Sequence, residues 1–104
     1  MTTDDAADWL VQEISDLLDA GPVGLYEFMD EQNDSEDLRL GPLDERKAIA
    51  SAALQRLLMT GGIEIQRRKW AQVDDLGTVS PEDLPADPWD RPDEGGNYLA
   101  IARV

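Results

Sequence analysis

Carboxylates are the only reactive side chains this chain carries in quantity. Its 104 residues hold 23 Asp and Glu against nine Lys and Arg, with no His and no Cys. Without thiol or imidazole there is no thiolate nucleophile, no disulfide framework, and neither the usual general base nor the usual zinc ligand. Paired carboxylates can do acid/base work, as in glycoside hydrolysis, when one of them is held protonated by its surroundings. Here the acids fall on the polar faces of expected helices and in loops, where ordinary titration is expected. A calcium loop beginning at Asp30 would set Gln32 and Asp34 at ligand positions. Ser35, however, stands at the sixth position where Gly is needed, and Gly41 at the twelfth in place of Glu. There is no glycine-rich phosphate loop, serine nucleophile motif or metal-ligand cluster in the chain. The expectation is a non-enzyme without a cofactor.

What remains is recognition by charge. Residues 1–37 carry twelve acids and no base, residues 38–70 have a net charge of +4, and residues 71–104 one of −6. The whole chain stands at −14 with a pI near 4.1. Such a charge repels polyphosphates at long range and favours basic partners. Asp5, Asp8, Asp16 and Asp19 recur at helical spacing with Trp9 alongside. An aromatic next to a carboxylate ridge suits a basic protein partner. The plainer expectation is that the acidic arms fold against the basic centre and neutralise it, with Trp9 tucked against the C-terminal segment.

These residues must be positioned by elements that hydrophobic periodicity outlines. A first helix over about 4–20 shows Leu10, Val11, Ile14, Leu17 and Leu18 on one stripe, with Thr2, Thr3 or Asp4 as its cap. Gly21-Pro22 ends it and opens a second helix over about 22–31, with Leu25, Phe28 and Met29 at i, i+3 and i+4. Residues 32–41 form a polar loop with a short extended piece at 38–40. A third helix over about 43–60 places Ile49, Ala50, Ala53, Leu54 and Leu57 on its inner face. Gly61-Gly62 stops it. Strands follow at about 63–70 and 98–104, expected to pair antiparallel, with a long acidic Pro-rich connection over 71–97. Within that connection Ser80-Pro81-Glu82-Asp83 looks like a single capped helical turn, and Trp89 and Trp70 are the expected anchors. The fold class is therefore α+β: one domain of three helices and a C-terminal two-stranded antiparallel hairpin.

The stretch LQRLLMTGGIEIQRR, ending later in NYLAIARV, resembles the passage from third helix into wing of bacterial winged-helix regulators. The resemblance implies that Lys47, Ser51, Gln55 and Arg56 lie on the groove-facing side of a recognition helix. It puts Arg67, Arg68 and Lys69 at the base of the wing near phosphates. Gln can read adenine and Arg guanine, so a DNA-binding regulator is the alternative function. The wing here is expanded and acidic, and DNA-binding domains of this size carry a pI above about 9. The leading expectation is therefore an acidic protein-interaction domain, with the charge logic of immunity and antitoxin proteins. The small residues Ala48, Ser51 and Ala52 offer a face for a second copy. No stretch approaches the ~20 apolar residues of a membrane helix, and the acidic N-terminus is unlike a signal peptide. A cytoplasmic location is expected.

Overall fold

In a computed structural model the chain is described for residues 2–70 and 76–104. Helix α1 spans Thr3–Leu18, and the Thr2 hydroxyl accepts the Asp5 amide at 3.1 Å as its N-cap. Its buried side is Ala6, Ala7, Leu10, Ile14 and Leu18, while Val11 and Leu17 are half-buried at the stripe's edge. Helix α4 spans Leu43–Met59 and buries the five residues that periodicity selects, Ile49, Ala50, Ala53, Leu54 and Leu57. Gly61 and Gly62 follow at φ +79° and +71°, left-handed values that cost a side chain energy but suit glycine. The chain then reverses into a strand.

The sheet is larger than a hairpin. Strands β1 (Val23–Gly24), β2 (Ile63–Lys69), β3 (Thr78–Val79) and β4 (Asn97–Arg103) form one antiparallel sheet in the order β1-β4-β2-β3. The expected β2–β4 pairing is present, with Ile65 opposite Ile101 and Lys69 opposite Asn97. The two-stranded expectation is corrected by β1 and β3, each two residues long. Val23 pairs with Ile101, and Ile65 with Val79. Period two then puts Val23, Ile65 and Ile101 on the inner face, where they meet α1 and α4.

The second helix is also corrected. Val23 and Gly24 run extended as β1 and residues 25 and 26 turn before Glu27, so Leu25 reaches the core from a strand end, its amide donating to Leu99 O at 2.8 Å. Helix α2 is a single turn, Glu27–Asp30, followed by a 3-10 turn at Glu31–Asp34 and a second single turn, α3, at Glu36–Arg39. The stretch 38–40 is thus the end of a helical turn and not extended. Ser35 caps α3 through a bond from the Leu38 amide. Gln32 ties these turns to α4. It is fully buried and its amide donates to Phe28 O at 3.1 Å and to Arg46 O at 2.9 Å.

Of the connection 71–97, residues 71–75 lie outside the described residues. The rest is held down as Trp89 predicts and Trp70 does not. Trp89 is 7% exposed with its ring centroid 5.7 Å from that of Phe28, whereas Trp70 is 63% exposed. The turn at Pro81–Asp83 is present as a 3-10 turn, closed by the Asp83 amide on Ser80 O, but the Ser80 side chain makes no cap hydrogen bond. Among the described residues no helix is long and apolar enough to cross a membrane.

Candidate interaction surfaces

The acidic ridge of α1 is partly occupied by the chain's own bases. Arg56 of α4 pairs with Asp8 and, at 3.0 Å, with Asp4, and also donates to the Asp4 carbonyl. Arg103 of β4 pairs with Asp19 at 3.0 Å. Asp16 accepts from Gln12 at 3.1 Å, one turn away, and Asp5 is exposed at the N-terminal turn. Trp9 is half-buried and packs against the core, so it does not stand as an exposed aromatic beside the carboxylates. Of the five ridge residues, only Asp5 and Asp16 point to solvent without a basic partner among the described residues.

The groove-facing set of α4 is divided as well. Lys47 is paired with Asp87 at 2.5 Å, which raises the lysine's pKa and lowers that of the carboxyl, each chiefly through this hydrogen bond. Ser51 and Gln55 line a groove of about 200 Å³ whose far wall is Leu84, Pro85 and Pro88. The strap of residues 80–93 therefore runs along this side of α4, including Ser51 of the small-residue face. Arg56 is turned away toward α1. On β2 the three bases split by the pleat. Arg67 and Lys69 share one face and are exposed, while half-buried Arg68 is on the other and donates to Gln66 Oε1 at 2.8 Å. Gln66 in turn donates to Glu64 Oε1 at 2.9 Å, so the outer face carries a polar ladder.

Four acid–base contacts join segments distant in sequence: Asp4/Asp8–Arg56, Asp19–Arg103, Asp30–Arg91 and Lys47–Asp87. Each takes at least one partner from an acidic arm. At partly exposed positions each contributes modestly to stability. Together they engage Lys47 and Arg56 of the basic centre and both bases of the C-terminal arm, while Arg67 and Lys69 stay exposed. The clearest shifts among the carboxyls are structural. Burial pushes Glu27 up although its Oε2 accepts the Gly24 amide at 2.6 Å. Burial, with Asp34 and Glu13 nearby, also raises Glu31. Among the described residues no group of three or more His, Cys, Asp or Glu could hold a metal ion.

One surface went unnoticed in the sequence. Tyr26, Trp70 and the turn at residues 91–96 enclose a cleft of about 370 Å³ between the far end of the β2–β4 ribbon and the strap. The turn is braced by Asp93, whose Oδ1 accepts the Asn97 amide at 2.9 Å while its carbonyl accepts the Gly96 amide at 2.8 Å. That Asn97 bond, with further amides from Gly95 and Gly96, holds the Asp93 carboxyl below its usual range. The sequence signal was the Asp93-x-Gly-Gly-Asn97 turn directly before a strand, which reads as a loop unless its tertiary neighbours are known.

Neither a family model, nor a curated protein, nor a solved structure matches this chain.

Proposed function

We propose that the protein is a non-enzymatic, cytoplasmic interaction domain that binds a basic partner protein, in the manner of an immunity, antitoxin or regulatory protein. The observation that carries this is the internal use of its cations. Lys47, Arg56, Arg91 and Arg103 are all engaged by carboxylates, and the exposed remainder of a chain of net charge −14 is mostly acidic. Such a surface accelerates encounter with a basic protein and rejects polyphosphate. We read the fold as winged-helix-like. The order of α1, α4, β2 and β4 supports this, while the extra strands and the strap along α4 make it an atypical member.

The exposed pair Arg67 and Lys69 favours the alternative, a DNA-binding regulator using α4 and the wing. One set of variants separates the two. Asp5→Asn with Asp16→Asn leaves the internal ion pairs intact and should weaken salt-sensitive capture of a partner from the source cell's lysate and flatten its salt dependence. Arg67→Glu with Lys69→Glu should leave that capture unchanged. Retention of duplex DNA at low salt, lost in the Arg67/Lys69 variant, would overturn the protein-binding reading in favour of DNA.

A further inference from the structure

The cleft at the end of the ribbon is built from the same parts that the chain already uses to hold one of its own cations. The Arg91 guanidinium lies 5.9 Å from the Tyr26 ring centroid, and its Nη2 donates to Asp30 Oδ1 at 2.5 Å. An aromatic face and a carboxylate thus share a cation, an arrangement in which ring quadrupole and ion pair act together. Tyr26 is kept in place by Tyr98, whose ring meets it edge-on at 5.8 Å and 76°.

The same cleft is lined by a second aromatic, Trp70, and by two further carboxylates, Asp93 and Glu94. Among the described residues no cation lies over the Trp70 ring, which is 63% exposed. Its backbone is fixed. The Trp70 amide donates to Gly96 O at 2.6 Å, and Gly96 sits at φ +81°, where an added Cβ would come 3.1 Å from Trp70 Cβ. Asp93 is fixed by the turn it braces. An exposed tryptophan has no stabilising role in the core, yet here it lines a cleft whose charged side chains are Asp93, Glu94 and the already paired Arg91.

We propose that this cleft takes a lysine or arginine side chain of the partner, stacked on Trp70 and paired with the Asp93–Glu94 carboxylates. This rests on the basic-partner reading and names where that partner is gripped. The ridge on α1 then serves as long-range attraction, and the cleft as the point of contact. Charge complementarity selects the occupant: Asp93 and Glu94 line the same cleft as an exposed aromatic surface whose π-electron density also attracts cations.

The test is a titration of the full chain, labelled with ¹⁵N, by the peptide acetyl-Lys-Arg-Lys-amide at physiological salt, with acetyl-Gln-Gln-Gln-amide as control. The three tryptophans give three indole N–H signals, and buried Trp89 and half-buried Trp9 serve as internal references. The Trp70 signal should move with the basic peptide alone. Trp70→Ala and Glu94→Gln should each weaken binding roughly three- to tenfold, the range of an exposed to partly desolvated cation–π contact or ion pair. Both sites are exposed, and an unchanged amide spectrum elsewhere shows that the fold is kept. If the peptide shifts Asp5 and Asp16 while Trp70 stays still, the cleft is refuted and the basic-partner reading stands. Affinity indifferent to both variants refutes the cleft equally. Absence of binding at millimolar peptide also refutes it, and the capture experiment with Asp5→Asn and Asp16→Asn then decides the broader reading on its own.

Discussion

Replacing Trp89 with alanine removes the one buried side chain of the strap of residues 80–93. The ring is 7% exposed and packs on Phe28, itself fully buried. A tryptophan buries about 150–250 Å², which at about 25 cal/mol per Å² gives an upper bound near 4–6 kcal/mol. Measured large-to-alanine losses for Trp and Phe run at about 3–5 kcal/mol. The strap is a surface segment and can lift away rather than leave a sealed cavity, so the lower end applies, about 3 kcal/mol. For a domain of this size that lowers the melting temperature by about 12–24 °C. Urea denaturation followed by circular dichroism reads the free energy directly, and a midpoint shift with an unchanged slope keeps the comparison clean. Detachment also frees Lys47 from Asp87 and uncovers Leu54 and Leu58, so the amide signals of α4 should move with the strap's. A loss below about 1 kcal/mol, the ordinary cost of a surface change, with unaltered α4 signals, would refute the claim that Trp89 anchors this segment.

Two further outcomes follow from the same geometry. Gly24→Ala would place a Cβ 2.4 Å from Tyr26 Cε1, so the ring must leave its position against Tyr98. A cost of about 1–3 kcal/mol is expected, largely recovered when Tyr26→Ala is added, and thermal melts of the single and double variants check it. The pH dependence of stability should rise before it falls. Glu27 and Glu31, raised above 4.5 chiefly by burial, bind protons more readily folded than unfolded, so acidification through their folded pKa favours the folded state. Relief of the net charge of −14 acts in the same direction. Asp87 and Asp93, depressed below 3.8 by their hydrogen bonds, contribute stability above that value and lose it as pH falls through their folded pKa. Urea midpoints should therefore be higher near about pH 5 than at about pH 7, and drop below about pH 3.5. A steady decline from pH 7 to 5 would contradict the burial of Glu27 and Glu31.

By itself the sequence determined α1, α4 and the β2–β4 pair, down to the five inward residues of α4 and the Gly61-Gly62 stop. Those elements are long enough for period 3.6 or period two to repeat, so local patterning and burial give the same answer. The short elements were decided by tertiary structure. Val23-Gly24 and Thr78-Val79 are strands only because β4 and β2 offer unpaired edges to them, a condition that two residues cannot encode. The stretch 22–31 has apolar residues spaced for either reading. The β4 edge pulls Val23 and Gly24 into the sheet, and helical structure starts only at Glu27. The same reason governs the charges. Composition foretold an acidic chain with a basic centre. Which carboxylate meets which cation was settled by α1 lying on α4 and the strap crossing it, which joined Asp8 to Arg56 and Lys47 to Asp87 across 48 and 40 residues. Contacts of that sequence separation depend on how whole elements pack, and so the cleft between Tyr26, Trp70 and Asp93 came into view only with the fold.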